Sequence, residues 1–182
     1  MIPAVVIDET GRIVASSRAA QALLPPAILG RSCHEVLEGD DVFGNLFCRE
    51  RCAVSEMAWR RETPRYFEMT IHCRDRTRRV GCVTTVQRSP GATGFRLLHV
   101  FRPLDASAHR GSATPAPRPP PLTRREREVL GMVARLEEPG RIAADLGIAV
   151  STARRHLRAL QRKLGSRGML ETIYRAGERN LL

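Results

Sequence analysis

Alternation of apolar and polar side chains dominates the first hundred residues. Phe67, Met69, Ile71 and Cys73 fall on one face of an extended run from Tyr66 to Cys73, and Val80, Cys82, Thr84 and Val86 alternate likewise. Phe95 to Phe101 supplies a third such run. Nearer the start, Ala4-Val5-Val6-Ile7 and Arg12-Ile13-Val14-Ala15 are short, β-branched-rich segments joined by Asp8-Glu9-Thr10-Gly11, a hairpin signature. Ala19 to Leu24 reads as a helix until Pro25-Pro26 stops it. Two strands, several short helices and then three antiparallel strands predict an α+β domain over residues 1–104, with helices on one face of its sheet.

The pattern breaks at residue 105. Residues 105–121, DASAHRGSATPAPRPPP, hold almost no large apolar side chain and cannot build a core, so they predict a Pro/Ala-rich, extended linker. Beyond it the period lengthens to that of a helix. Thr123 and Glu126 form a capping-box pair ahead of Val129, Leu130, Val133 and Leu136, which predicts a helix to about Leu136. Pro139 suits the first turn of a second helix, with Ile142, Ala143 and Leu146 inward and Gly147 as its stop. A tight turn leads to a third helix, Val150 to Leu164, and two helices so joined make a helix-turn-helix unit. Residues 122–182 therefore read as an all-α domain.

Charge changes the reading of the third helix. The chain of 182 residues has 30 Lys+Arg against 19 Asp+Glu, a formal net charge of +11. Residues 122–182 carry +6 of this with no cysteine, and residues 1–104 carry +4 with all five cysteines. On a helix of about 100° per residue, Ala153, Leu157, Leu160 and Leu164 fall in one narrow stripe. Arg154, Arg155, Arg158 and Arg162 fall in a second stripe on roughly the opposite side. From Ser151 to Arg167 there are six cations and no carboxylate. A merely solvated helix intersperses acids with its bases, so this face points to double-stranded DNA.

These residues also carry a family resemblance. Leu122-Thr-Arg-Arg-Glu-Arg-Glu-Val-Leu130, Ile142-Ala143, Leu146, Ile148, Thr152-Ala-Arg-Arg-His156 and Lys163-Leu164-Gly165 resemble the LuxR/GerE-type helix-turn-helix over nearly all of residues 122–182. The resemblance implies an all-α four-helix domain whose third helix enters the major groove of double-stranded DNA and whose fourth, with Met169, Leu170, Ile173, Tyr174 and Leu181, pairs two subunits of a homodimer; that apolar face equally suits the domain core. The resemblance also implies Arg154, Arg155 and Arg158 on base edges or nearby phosphates, Thr152, His156 and Lys163 on phosphates, and Arg162 on the same DNA-binding face. Ala149 stands where the family commonly has a capping Ser, so Ser151 is expected to cap the helix instead.

The N-terminal order of elements, with Val6-Ile7-Asp8-x-x-Gly11-Arg-Ile13-Val14, resembles a PAS domain. That resemblance implies a sensor, with a cofactor or ligand held between the sheet and its helices, or a sheet face used for dimerisation. The informative residues are Cys33-His34-Glu35 and Cys48-Arg-Glu-Arg-Cys52. Thiolates are soft donors that favour zinc, copper(I) or iron–sulfur clusters. On a helix, Cys48 and Cys52 would project the same way. The fourth ligand is drawn from Cys73 or Cys82 of the sheet, or from His34 or His72; the set taken forward is Cys33, Cys48, Cys52 and Cys73. Cysteine also packs as a small hydrophobe, and Cys73 and Cys82 fit an inward-facing strand pattern. Arg31, Arg49 and Arg51 are expected to lower the thiol pKa values. Gly30-Arg-x-Cys33-x-x-x-Leu37-x-Gly39 partly matches the flavin-adduct motif of light-sensing PAS domains. Ser32 and Glu38 replace the expected Asn and Gln, so flavin and haem rank behind an iron–sulfur cluster or zinc.

No apolar run approaches the roughly 20 residues of a membrane span, and the N-terminus lacks the basic and small-residue features of a secretory signal. The expectation is a cytoplasmic regulator with reduced thiols. In it the PAS-like domain senses a redox, gas, metal or small-molecule signal and controls DNA binding. The same regulator with a PAS domain used only for dimerisation or ligand binding, and no metal, is the alternative. A thiol oxidoreductase built on Cys48 and Cys52 ranks last, because such pairs have two intervening residues and this one has three.

Overall fold

The structure, a computed structural model, describes residues 2–64, 66–73, 76–88, 93–104 and 121–182. The chain divides into two compact units, Met1–Arg110 and Gly111–Leu182. The expected linker, 105–121, lies outside the described residues except for Pro121.

The first unit runs β1 (Ala4–Asp8), β2 (Ile13–Ser16), α1 (Arg18–Leu23), α2 (Cys33–Leu37), α3 (Ala53–Trp59), β3 (Phe67–Cys73), β4 (Arg76–Gln87) and β5 (Arg96–Pro103). All pairings are antiparallel, in the order β2-β1-β5-β4-β3. The hairpin turn forms where expected. Asp8 Oδ1 accepts from the backbone N–H groups of Thr10 and Arg12 and from the Thr10 hydroxyl, and Gly11 takes φ 84°. Helix α1 begins at Ser17, whose hydroxyl accepts from the Ala20 amide, and ends before Pro25. One core joins the sheet to its helices through Val5, Ile7, Ile13, Val36, Leu37, Val54, Ile71 and Phe101.

Alternation holds on β3 but fails on β5, where Leu97 to Phe101 are all buried. The reason is position: β5 is the middle strand of five, and a central strand buried on both faces loses the two-residue period. Strand β4 also starts earlier than the apolar pattern suggests, because its arginines pair with the end of β3 through Thr70↔Arg79 and Ile71↔Arg78.

The second unit has four helices, α4 (Arg124–Ala134), α5 (Pro139–Asp145), α6 (Val150–Leu164) and α7 (Met169–Glu178). The capping box is complete: the Glu126 amide donates to the Thr123 hydroxyl and the Thr123 amide to the Glu126 carboxylate. Helix α4 stops two residues short of Leu136, which adopts a left-handed φ of 60° after the cap at Arg135. Pro139 opens α5, and Gly147 at φ 61° makes the turn into α6. Ala149, not Ser151, is the N-cap of α6, and no side chain caps it. Gly165, at φ 68°, closes α6 in the left-handed conformation that L side chains resist. Val129, Leu130, Ile142, Ala153, Leu160, Leu164, Ile173 and Tyr174 are buried, so the apolar face of α7 serves this core at Ile173 and Tyr174.

Candidate functional site

Helix α6 is amphipathic in the expected sense. Ala153, Leu160 and Leu164 are buried, while Arg154, Arg155, Arg158 and Arg162 are exposed. Elsewhere in this unit five arginines pair with carboxylates, Arg124 and Arg125 with Glu128, Arg135 with Glu137, Arg141 with Asp145 and Arg175 with Glu178. Among the described residues no carboxylate pairs with the four arginines of α6. Their charge is therefore open to an external anion. Ser151, Thr152, Arg155, Arg158 and Arg162 line one hollow of about 330 Å³. Arg158 and Arg162 extend into a second, of about 480 Å³, with Gln161, Ser166 and Arg167. Guanidinium groups flanked by hydroxyls suit a phosphodiester track. Arg154 is exposed but lines neither hollow, and His156 is half-buried.

The first unit holds a cavity of about 40 Å³ between its helices and its sheet, lined by four thiols, Cys33, Cys48, Cys52 and Cys82. Cys33 is the first residue of α2, and its amide donates to Gly11 O at 2.8 Å, tying that helix to the hairpin. The Cys48 amide donates to Gly39 O at 2.8 Å, and a Cβ on Gly39 would lie 2.8 Å from Cys48 Sγ. Glycine at 39 thus gives the Cys48 thiol its place. Cys52 caps α3 without a side-chain hydrogen bond. Cys82 sits in β4 opposite Phe67 and Phe101, with Thr84 Oγ1 3.8 Å from its sulfur. That hydroxyl meets His99 Nδ1 at 2.6 Å.

Three expectations are corrected here. Cys48 and Cys52 do not share a helix, because α3 begins only at Ala53. Cys73, which ends β3, does not line the cavity with Cys33, Cys48 and Cys52, whereas Cys82 does. The thiols of Cys33, Cys48, Cys73 and Cys82 are not acidified. Burial pushes Cys33 and Cys82 well up, with smaller contributions from neighbouring cysteines, and raises Cys48 to about 12. Cys73 is raised too, by burial and then by the charge of Glu38. Desolvation of the thiolate outweighs the arginines, of which only Arg49 lines the cavity. Burial likewise pushes His99 down to about 4, so its ring is neutral at neutral pH. His34 lines the cavity, whereas His72 pairs with Asp40 at 2.7 Å away from it. All five cysteines are free. Among the described residues no group of three or more His, Cys, Asp or Glu is arranged to hold a metal ion.

Residues 120–176 match the family model GerE, described as bacterial regulatory proteins of the luxR family. They are a LuxR-type helix-turn-helix domain, a DNA-binding module.

Among solved structures, the Vibrio cholerae VqmA dimer in the absence of target DNA is similar at 17% identity and TM-score 0.39, over 100% of this chain and 84% of that one. The Vibrio cholerae VqmA–ligand–DNA complex is similar at 16% identity and TM-score 0.41, with the same coverage. VqmA bound to DPO gives 16% identity and TM-score 0.39, over 100% of this chain and 83% of that one. No curated protein matches the chain.

Within the LuxR-type domain, Gln161, Ser166 and Arg167 join the basic surface without having been singled out in the sequence. Gln161 follows Arg158 by three residues and so shares its face, a spacing that charge counting overlooks. Lys163, expected as a phosphate contact, also makes contacts inside the domain. Its ammonium lies 2.7 Å from Glu126 Oε2 and donates to Pro121 O at 3.2 Å, joining α6 to the start of α4. Burial raises the Glu126 carboxyl, but hydrogen bonds from Lys163 and Thr123 and the Lys163 charge outweigh it, leaving the pKa below its ordinary 4.5. A depressed carboxylate pKa contributes stability above the unfolded value, and that contribution fades as pH falls through the folded value. Lys163→Met is expected to destabilise the domain by about 2 kcal/mol at neutral pH. Its loss of stability on acidification below about pH 4.5 should be shallower than that of the unsubstituted protein. Thermal melts across that range check both.

No helix of the described residues is long and apolar enough to cross a membrane.

Proposed function

We propose that this protein is a cytoplasmic transcription regulator, not an enzyme. It acts as a homodimer on double-stranded DNA, and a PAS-like N-terminal domain controls its LuxR-type domain. The observation that carries the reading is the row of four unpaired arginines on α6, inside a domain matched to bacterial regulatory proteins. Arg154, Arg155 and Arg158 reach base edges or adjacent phosphates, where an arginine can grip guanine O6 and N7 together. Arg162, Thr152 and His156 hold the backbone, and Arg167 extends the track. The PAS-like reading is supported by the order of two strands, short helices on one sheet face, then three strands. A cavity of about 40 Å³ between the two layers fits a group of a few atoms. The raised Cys48 pKa runs against a thiol oxidoreductase, which needs a thiolate at neutral pH.

The test is a titration of the full chain into labelled random-sequence duplex at several salt concentrations. Binding is expected at low salt, weakening steeply, with a log–log slope of roughly 0.9 per phosphate neutralised. No binding at low salt would overturn the regulator reading.

A further inference from the structure

We propose that Cys33, Cys48, Cys52 and Cys82 together hold an iron–sulfur cluster, with Cys82 of β4 as the fourth thiol. This rests on the reading of the N-terminal unit as the signal-receiving domain, and it names the group that the domain carries.

Four separate pieces of chain deliver these thiols to one cavity: the start of α2, the segment after Gly39, the cap of α3 and the middle of β4. A packing role for cysteine would scatter the sulfurs among the core. Here four of the five share a single lining, with apolar Leu37, Phe47 and Met69 beside polar Asp8, Arg49 and Glu50. Four soft thiolate donors are the ligand set of an iron–sulfur cluster. The described His, Cys, Asp and Glu side chains do not converge in threes to hold a single ion. A cluster removes that requirement, because its irons are spread through a core and each thiol reaches only its own iron. The cavity, about 40 Å³, has room for roughly three water-sized groups, far below the roughly 300 Å³ at which organic-ligand sites begin.

Loading is a ligand exchange. Four S–H bonds and four bonds from iron to the carrier thiolates of a preassembled dicationic core break, four S–Fe bonds to the protein form, the departing thiolates take the four protons, and the core keeps its electrons. Gly39 serves as a positioning residue, since any side chain there would meet Cys48 Sγ and Met69 Cε.

The experiment uses the full chain, purified without oxygen and reconstituted with ferric and ferrous salts and sulfide. The readouts are iron and acid-labile sulfide per chain and visible charge-transfer absorption. Cys52→Ser is the key variant. Serine is a favoured N-cap, so it keeps or strengthens the start of α3 while removing a thiolate. Cys82→Ala tests the fourth position, and Cys73→Ala is its control, with melting curves of the cluster-free proteins reporting the fold. Wild type and Cys73→Ala are expected to carry iron and sulfide. Cys52→Ser and Cys82→Ala are expected to lose them by more than the roughly 10-fold that an outer-shell change costs. Zinc alone, or no iron and sulfide in the wild type, would overturn the proposal. Cluster retained in Cys52→Ser, or in a folded Cys82→Ala, would do the same. DNA titrations on the same preparations report the regulator reading separately: a loaded cluster with no DNA binding sinks that reading alone.

Discussion

Replacing Arg155 and Arg158 together with alanine should weaken duplex binding by the full chain about 100-fold at fixed salt, from roughly 1–3 kcal/mol per contact. Both guanidinium groups line the same hollow on α6, and neither is neutralised by a carboxylate of the described residues. The salt slope should fall with the affinity, because fewer counterions leave the DNA on binding. Arg135→Ala combined with Arg141→Ala is the matched control. It removes an equal charge from the same unit, but from arginines already paired with Glu137 at 2.6 Å and Asp145 at 3.1 Å, so its effect on binding should be small. Gel-shift titrations of both variants check the pair. Equal losses would mean that net charge alone, and not this face, sets the affinity.

Phe101→Ala is expected to cost the first unit about 4 kcal/mol, the range for emptying a large aromatic site in a core. Phe101 is fully buried on central strand β5, opposite Cys82 in the register, and packs edge-on against His99 at 6.0 Å between ring centroids. That loss is a large share of the stability of a domain this size. The second unit has its own core, in which Leu130, Leu160 and Tyr174 are buried. Denaturant melts should therefore show one transition moved to lower denaturant and one unchanged. DNA binding at low salt should survive. A single transition shifted as a whole would show that the two units unfold together.

The parts legible in the sequence are those governed by neighbours a few residues apart. The capping box of Thr123 and Glu126, the Asp8-to-Gly11 turn, the stop at Pro25 and the two stripes of α6 each depend on spacing within about two turns of chain. Composition added the sign of the charge and therefore the class of partner. From these came an α+β unit, an all-α unit and a basic third helix with Arg154, Arg155, Arg158 and Arg162 on its outer face; the fourth helix and the recognition role came with the family resemblance.

Tertiary structure decided matters in which distant residues compete for the same place. Period-two alternation sends Cys73 and Cys82 to the same face of the sheet, and nothing local distinguishes them. Sheet order and strand register bring Cys82 to the cavity that Cys33 and Cys52 line from the start of α2 and the cap of α3, and leave Cys73 at the end of β3. Cys48 and Cys52 meet through a turn rather than along a helix, because the Gly39 carbonyl holds the Cys48 amide from nine residues upstream. Lys163 shows the same competition on α6. Its position in the motif assigns it to phosphate, yet Glu126, 37 residues earlier, takes its ammonium. A charge is available to an outside partner only when the fold has not brought it a partner of its own, and spacing along the chain does not contain that information.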